Sequence, residues 1–447
     1  MDLFAGAGGL GEGFHQAGFD IVCSIDSDPH CASTLKTRSE YRVLKAGGKL
    51  PDYAYYLKGD IDLPKTAASD NVLQLELNEE SLDKQLGLIS NCLVRNNVSQ
   101  VDLIIGGPPC QAYSIAGRSR DPDRKKYDPR HHLFRIYLKL IEQLQPRLFV
   151  YENVPGLLSA ASASGVILEL LRQDLNGIQP SYFLIPPTQG EYVLFSADNH
   201  YDLSAFKFDT ATFGVPQHRK RIILIGIRSD LADADKKYAV NFWSTLENTI
   251  NSTVTVEEAI SDLPPVYPDR GKALRGNDRH LSKGYIKEPN HYSKGLRWED
   301  LGGVLNHRSR IHMEADLLRY NYFIRESLEQ GRHITLRDVK AEKREDILPA
   351  HRKQDIFIDR FKVQLPNRPA STVTAHIAKD GHYYIHPDIK QCRSLTVREA
   401  ARLQSFPDDY LFEGPRTEQF RQVGNAVPPV FARKIAEAVK EVLSGLP

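Results

Sequence analysis

The chain has 447 residues, a net charge of +1, 41% hydrophobic and 26% charged residues, which is typical of a soluble globular protein and predicts two or three domains. It contains no apolar run of about 18 residues and no signal-peptide pattern, which argues against a membrane-spanning or secreted protein and predicts a cytoplasmic location. The five cysteines form no CxxC pair, which argues against a zinc site and a disulfide framework, so no metal is expected.

The first two thirds of the chain alternate strand and helix patterns. Met1 to Phe14 indicates the end of a strand, a glycine-rich turn and a helix, and Phe19 to Ile25 indicates a second strand that ends at Asp26. The later elements are a strand at Val101–Ile105, a helix at His132–Leu144, and strands at Leu148–Tyr151 and Arg221–Arg228. This alternation predicts an α/β fold with a doubly wound, mainly parallel sheet.

The pattern changes after Arg228. Weak periodicity with many prolines, glycines and histidines predicts a smaller, irregular domain over 245–385, between a first domain at 1–244 and a C-terminal return at 386–447. Residues 266–370 carry 22 Lys and Arg against 15 Asp and Glu. This local charge of +7 favours a surface that faces a polyanion, although a solvated, loop-rich face has the same composition.

The glycine-rich turn contains Gly6, Gly8 and Gly11 in the spacing GxGxxG. The spacing fits nucleotide cofactors in general, because glycines let the backbone approach a ligand and a carboxylate after the second strand, here Asp26, can accept both ribose hydroxyls. A plain βα turn with no ligand remains an alternative.

Pro108-Pro109-Cys110-Gln111 ends the strand at Val101–Ile105 in a stiff turn. A cysteine in apolar surroundings is most often a packed core residue. Two prolines, however, aim Cys110 outward from the end of the sheet, where open α/β folds bind ligands. Here the chain resembles the cytosine-C5 DNA methyltransferase family, whose nucleophile sits in a Pro-Cys-Gln turn.

Further motifs carry this resemblance in the family's order. They are Asp2-Leu-Phe-Ala-Gly-x-Gly-Gly, Gly59-Asp60-Ile61, Glu152-Asn153-Val154, Gln217-x-Arg219-x-Arg221, Arg368–Ala375 and Gln422–Pro429. The resemblance implies a Rossmann-like S-adenosylmethionine-dependent methyltransferase sheet with a smaller target-recognition domain. It implies transfer of a methyl group to C5 of a flipped-out cytosine in a specific duplex DNA sequence, with S-adenosylhomocysteine as the second product.

The resemblance also implies roles for individual residues. Cys110 would attack C6 of the cytosine, Glu152 would hold a proton at N3, and Arg219 and Arg221 would stabilise charge in the catalytic pocket. Because adjacent parallel strands end close together, Cys110 and Glu152 are expected to converge on one base. The residues expected at the cofactor are Phe4, Ala5, Gly6, Gly8, Gly9, Asp26, Asp60, Ile61, Pro109, Leu133, Asn425 and Ala426. In this set, Asp26 would bind the ribose and Asp60 the adenine amine.

The segment from Gln111 to His132 is polar, basic and too long for a simple βα turn. It suits a lid that closes over DNA, with Gln111 and Ser114 contacting the strand and Arg118 a phosphate. The expected partner is double-stranded DNA, with no membrane contact. A restriction endonuclease that acts on the same DNA site would be a companion enzyme, and it need not contact this protein. A monomer associated with the nucleoid is expected.

Two features depart from the family pattern. Ser27 stands where many members carry an aromatic residue, so adenine stacking is expected from elsewhere, such as Phe4. Few residues precede Asp2, which predicts a cofactor pocket with less support or a sequence that starts late.

Three other functions fit part of the sequence. Methylation of a tRNA cytosine uses the same chemistry, but the long basic region disfavours it. A non-catalytic DNA-binding protein is disfavoured by intact Cys110 and Glu152. A nicotinamide-dependent oxidoreductase has only the glycine spacing in its favour.

Overall fold

One mixed sheet forms the centre of the protein. The computed structural model describes residues 1–109, 131–155, 177–185, 206–232, 238–250, 253–268, 281–297, 299, 301–349 and 358–447. Within these residues the strands are β1 Asp2–Leu3, β2 Ser24–Asp26, β3 Val72–Gln74, β4 Leu103–Gly106, β5 Leu148–Asn153, β6 Tyr182–Leu184, β7 Lys207–Asp209 and β8 Lys220–Arg228. Their order is β3-β2-β1-β4-β5-β8-β6, and β7 also pairs with β8.

Strands β1 to β5 are parallel, and β8 runs antiparallel to β5. Chain order reverses at β1, which pairs with β2 on one side (Asp2 with Ser24) and with β4 on the other (Asp2 with Ile105). In open α/β sheets, ligands bind at the carboxyl ends of the strands at such a reversal. The turns that follow β1 and β4 therefore flank the expected site.

Helices cover both faces of the sheet, and others lie apart from it. The described helices are α1 Gly9–Gln16, α2 Pro29–Ala46, α3 Leu50–Lys58, α4 Leu82–Arg95, α5 His131–Leu144, α6 Tyr238–Glu247, α7 Val256–Ile260, α8 His291–Lys294, α9 Glu314–Gln330, α10 Leu336–Ala341, α11 Val397–Leu403, α12 Arg416–Asn425 and α13 Pro429–Ser444. In β4, Ile104 packs into one hydrophobic cluster, and Ile105 packs into another on the opposite face. A strand buried on both faces is the mark of a doubly wound sheet, so the predicted fold class is confirmed.

Two hydrophobic clusters of the region after β8 contain no residue of the named strands. Val256 of α7 and Val373 pack with Ala400 of α11 and Phe420 of α12. Residues of α9 and α10 form a separate cluster with Phe361 and Ile385. The ends of the predicted 245–385 domain thus pack against the C-terminal return. Its boundaries remain a prediction.

Two local predictions were inexact. The second strand is only Ser24–Asp26 rather than Phe19–Ile25, and the region 62–100, read as helical, also contains β3. Leu73, Leu75 and Leu77 alternate with polar residues there, which is the period of a strand, but the run is short and lies beside α4. Among the described helices, none is long and apolar enough to cross a membrane.

Candidate active site

The turn after β1 is shaped by residues with positive φ. Phe4, Gly6 and Gly8 have φ values of 55°, 55° and 80°, and the Ala5 amide donates to the Ile25 carbonyl (2.9 Å). A Cβ at Gly8 would lie 2.6 Å from Leu35 Cδ2, whereas a Cβ at Gly6 would meet no atom within 4 Å. Gly8 therefore serves packing, and the backbone at Gly6 borders open space that a ligand can enter.

Asp26 lies beside this open space at the end of β2. Its two carboxylate oxygens accept hydrogen bonds from the amides of Gly6 (2.7 Å) and Asp28 (2.9 Å). Burial raises the pKa of Asp26, and these two backbone hydrogen bonds act in the opposite direction. The two hydrogen bonds fix the carboxylate in place. Each oxygen keeps a further lone pair, so the carboxylate can still accept hydrogen bonds from ribose hydroxyls.

Asp60 and Ile61 lie elsewhere. They follow α3, and their neighbours Leu57 and Leu63 pack with Tyr41 near the far end of α2. Asp26 precedes the start of α2, and at 1.5 Å per residue Tyr41 lies roughly 18 Å along the helix from Pro29. The role of Asp60 and Ile61 in binding adenine stays a prediction.

Glu76 is a second acidic residue near the end of β2. The Leu75 amide donates to the Asp26 carbonyl (3.0 Å), so the chain leaving β3 passes beside Asp26, and the exposed Glu76 comes next. A carboxylate after β3 lies at the ligand-binding edge of the sheet. The sequence signal was the leucine alternation over 73–77, whereas the Gly-Asp-Ile string is the C-cap of α3.

The turn after β4 contacts the end of β5, as predicted for adjacent parallel strands. A Cβ at Gly107 would lie 2.5 Å from Glu152 Oε2, so only glycine lets the carboxylate approach this closely. Asn153, which is 3% exposed, donates from Nδ2 to the Pro108 carbonyl (3.2 Å). The buried Pro108 and exposed Pro109 lead directly to residue 110. Cys110, Gln111, Ser114 and Arg118 lie outside the described residues.

Glu152 pairs with Arg221 across β5 and β8. Arg221 Nε lies 2.8 Å from Glu152 Oε1, and each side chain is 11% exposed. Burial lowers the pKa of Arg221, whereas the Glu152 carboxylate acts to raise it. The pair thus presents a carboxyl and a guanidinium together beside the Gly107–Pro109 turn.

Arg219 hydrogen-bonds backbone carbonyls. Its Nη1 donates to the Val373 carbonyl (2.6 Å), and its Nη2 donates to the carbonyls of Gly424 (3.1 Å) and Asn425 (3.3 Å). Burial lowers its pKa. The arrangement corresponds to a residue that positions two segments of backbone. The sequence motif alone does not separate this role from that of Arg221.

The buried side-chain amides of Gln217 and Gln404 hydrogen-bond the same two backbone segments. Gln217 Nε2 donates to Gln404 Oε1 (2.7 Å), and its own Oε1 accepts from the Val373 amide (2.8 Å). Gln404 donates in turn to the Val423 (2.6 Å) and Ala426 (3.3 Å) carbonyls. The sequence gives no signal for Gln404, because nothing in the residues around it indicates that this polar side chain is buried.

The C-terminal return closes against the glycine-rich turn. A Cβ at Gly9 would lie 2.2 Å from the Val427 carbonyl oxygen and 3.2 Å from the Ala426 Cβ. Asn425 is exposed beside them. Leu133 of α5 and Phe4 pack on a common hydrophobic cluster. The glycine-rich turn and Ala426, which are far apart in the sequence, therefore lie together.

A family model described as C-5 cytosine-specific DNA methylase matches residues 1–50, 77–179 and 194–441. The chain belongs to this family. It is 39% identical to the Type II methyltransferase M.Bpa9945I of Bacillus paralicheniformis, over 100% of this chain and 99% of that protein. It is 28% identical to the Type II methyltransferase M.AgeI of Thalassovita gelatinovora, over 99% of each.

The fold of the methylase agrees with a solved structure. A chain described as a DNA modification methyltransferase encoded within a prophage (E. coli) aligns with a TM-score of 0.61 at 22% identity, covering 99% of this chain and 98% of that one. The protein is thus a DNA (cytosine-5)-methyltransferase, an enzyme class whose methyl donor is S-adenosylmethionine. The open space at Gly6 and the fixed carboxylate of Asp26 fit such a donor.

Proposed function

We propose that the methylase modifies C5 of a flipped-out cytosine in a specific duplex DNA sequence through a covalent bond between Cys110 and C6. The observation that carries this proposal is the contact of the Glu152 carboxyl with Gly107, three residues before Cys110. This contact supports the proposal because the Glu152 carboxyl lies beside the Gly107–Pro109 turn, and Cys110 is the next residue in the sequence. The target atoms are inaccessible in stacked DNA, so the base must leave the helix.

The chemistry follows from these side chains. The Cys110 thiolate forms a bond to C6, and the electron pair of the C5–C6 double bond becomes available at C5. Glu152 gives a proton to N3, which makes the ring a better acceptor, and the Arg221 guanidinium stabilises negative charge that develops on the ring. When bound, S-adenosylmethionine supplies an electrophilic methyl group at C5. Loss of the C5 proton to a base then restores the double bond and expels the thiolate, and the proton at N3 returns to Glu152.

The cofactor site is proposed from the residues around Gly6. Asp26 would accept from the ribose hydroxyls, Phe4 would stack on adenine, and Glu76 would accept from the adenine amine in place of Asp60. The other residues of the proposed pocket are Ala5, Gly8, Gly9, Pro109, Leu133, Asn425 and Ala426. Backbone amides of a glycine-rich turn suit this role because they approach a ligand closely.

The biological setting is proposed from the relatives. M.Bpa9945I and M.AgeI are named Type II methyltransferases, which supports a place in a restriction-modification system. The basic segment 266–370 supports binding of the DNA backbone. The same basic residues suit base edges and phosphates alike, so they do not define the recognised sequence.

The test is covalent trapping on duplex DNA that contains 5-fluorocytosine, with tritiated S-adenosylmethionine. Fluorine at C5 cannot leave as a proton does, so a competent enzyme should remain bound to DNA after denaturation. The adduct should disappear in Cys110→Ala. In Glu152→Gln it should form more slowly by a factor of about 100 or more, because a general acid is lost.

Glu437→Gln serves as the matched control, because Glu437 is a 44% exposed residue of α13 and should trap at the wild-type rate. Trapping that persists in Cys110→Ala would overturn the proposed nucleophile. Trapping on tRNA but not on any duplex DNA would overturn the proposed substrate.

A further inference from the structure

A tyrosine hydroxyl adjoins the side chain that hydrogen-bonds the turn after β4. Tyr151 and Asn153 are two positions apart in β5, so their side chains lie on the same face of the sheet. Asn153 Nδ2 donates to the Tyr151 hydroxyl (2.9 Å) and to the Pro108 carbonyl (3.2 Å). Its Oδ1 accepts from the Val154 amide (2.8 Å). Both hydrogens of the Asn153 amide nitrogen therefore have an acceptor, which fixes the orientation of the amide group.

Packing fixes the position of Tyr151 itself. The residue is 3% exposed, and its ring meets the rings of Phe134 and Tyr137 edge to face, with centroid distances of 5.8 Å and 5.5 Å. The Tyr137 hydroxyl donates to the Val150 carbonyl (3.0 Å) and so joins α5 to β5 beside these rings. The Tyr151 hydroxyl is therefore held in a defined place against Asn153.

The turn that accepts the hydrogen bond from Asn153 is stiff. Proline rings fix the φ angles of Pro108 and Pro109, and a residue that precedes a proline is restricted as well. The carboxyl of the intervening Glu152 approaches Gly107 in the same turn, where a Cβ would lie 2.5 Å from its Oε2. The end of β5 thus holds the turn at two neighbouring residues, and a stiff turn held in this way moves as one unit.

We propose that Tyr151 is a positioning residue for methyl transfer. Its hydroxyl fixes the Asn153 amide, and that amide sets the direction of the Pro108 carbonyl and of the turn that leads to Cys110 in the sequence. The inference rests on the proposed function, in which Cys110 is the nucleophile. Without the hydroxyl, one amide hydrogen loses its acceptor in a buried place, where an unpaired donor is unfavourable. The amide then turns toward other acceptors, and its hydrogen bond to Pro108 weakens.

The test compares Tyr151→Phe with the wild type in single-turnover transfer of tritiated methyl groups to unmodified phage DNA, with the enzyme in excess over DNA. The variant keeps the ring and its packing and loses only the hydroxyl. The rate constant should fall by about tenfold, because a small displacement of a reacting group is costly. The dissociation constants for S-adenosylmethionine and DNA should change by less than about twofold, since a buried hydroxyl adds little to a binding surface. A rate constant equal to that of the wild type would overturn the proposal.

Tyr182→Phe is the matched control. The Tyr182 hydroxyl also donates to a proline carbonyl, that of Pro146 (2.7 Å), near the start of β5, and its ring packs on Phe149 in the same hydrophobic cluster as Tyr151. This variant loses a buried hydrogen bond far from the turn, so it should transfer methyl groups at the wild-type rate. Equal losses of rate in Tyr151→Phe and Tyr182→Phe would indicate a general effect of stability and contradict the role of Tyr151.

A double-variant cycle tests whether Tyr151 acts through Asn153. In Asn153→Ala, the additional change Tyr151→Phe should lower the rate by less than about twofold, since no amide remains to be held. A full additional loss in that background would contradict the proposed route.

Cys110→Ala, measured beside these variants, separates this inference from the proposed function. An inactive Cys110→Ala together with a Tyr151→Phe that transfers at the wild-type rate would refute only the role of Tyr151. Transfer retained in Cys110→Ala would refute the proposed nucleophile and the positioning role with it.

Discussion

Arg219 and Arg221 are two positions apart in the sequence, but their guanidinium groups contact different parts of the protein. Arg221 faces Glu152 at 2.8 Å, so its charge is available to a reacting base. Arg219 is 1% exposed and donates to backbone carbonyls of the segment at Val373 and of α12. Both arginines match the family motif, and the described contacts join Arg219 to backbone carbonyls and Arg221 to the Glu152 carboxyl.

Asp26 and Asp60 allow a direct test of the cofactor site by calorimetric titration of S-adenosylmethionine. Asp26→Asn should weaken S-adenosylmethionine binding by about tenfold or more. The amides of Gly6 and Asp28 donate to two different oxygens of Asp26. The asparagine nitrogen would replace one of these oxygens, and it cannot accept a hydrogen bond from either an amide or a ribose hydroxyl. Asp60→Asn is the matched change at an exposed position and should leave the affinity within about twofold. A large loss in Asp60→Asn alone would contradict the separation described above.

Close approach of backbone decides how the elements meet. Helix α12 passes the segment at Thr374 so closely that a Cβ on Gly424 would lie 2.3 Å from the Thr374 carbonyl carbon. Rigid backbone cannot move aside as a flexible side chain can. The position of Asn425 and Ala426 therefore depends on a glycine in the middle of a helix, where glycine is otherwise unfavourable.

Two helical glycines should respond in opposite directions to alanine. Gly424→Ala should lower the free energy of unfolding by about 2 kcal/mol or more, because α12 must move from its neighbour. Gly87→Ala in α4, where a Cβ would meet no atom within 4 Å, should raise it by about 0.5–1 kcal/mol through helix propensity. Urea unfolding measures both changes. Equal effects at the two positions would contradict the packing at Gly424.

The molecule as a whole is tied together by buried ion pairs between residues far apart in sequence. Arg38 of α2 contacts both Glu12 (2.6 Å) and Asp409 (2.9 Å), and Arg402 of α11 contacts Asp262 (3.2 Å). All these side chains are at most 5% exposed. Removal of one partner from such a pair leaves a buried charge uncompensated, so the N-terminal sheet and the C-terminal return depend on each other.

Buried histidines predict a loss of stability in mild acid. Burial lowers the pKa of His307 and of His386 to about 4 and that of His312 to about 3. The unfolded chain takes up these protons near pH 6.5 and the folded chain does not, so stability is full above pH 6.5 and falls as the pH drops toward 4. Each shift to about 4 corresponds to roughly 3 kcal/mol. Burial raises the pKa of Asp2 to about 7, which opposes one of these losses.

Comparison of variants isolates the histidine effect. In His386→Gln, the difference in unfolding free energy between pH 7.5 and pH 4.5 should be smaller than in the wild type by roughly 2–3 kcal/mol. His218→Gln is the control, because the His218 side chain is 58% exposed, and it should retain the wild-type difference. Buried carboxylates such as Glu399, whose pKa is lowered by Arg393 and His386, lose their contribution only in stronger acid. A pH dependence unchanged in His386→Gln would contradict the assignment.

The sequence by itself determined the class of fold and the location of the main site elements. The alternating strand and helix patterns predicted the doubly wound sheet. The hydrophobic residues of the strands and of the helices must be buried against each other, which places helices on both faces of the sheet. The ends of β4 and β5 were predictable for a similar reason: adjacent parallel strands bring Pro108 and Glu152 to one edge whatever the loops do. Asp26 followed from its place after the second strand.

Only the tertiary structure decided which polar residues share that edge. Asp60 matched a motif but lies beyond the end of α3, whereas Glu76 matched none and follows β3. Arg219, Gln217 and Gln404 are tied to carbonyls and amides more than 150 residues away, and no local pattern records such a contact. The spacing of hydrophobic residues in a short segment indicates only which residues of that helix or strand are buried. The partner of a buried polar group depends on how distant elements pack, so it can be read only from the folded chain.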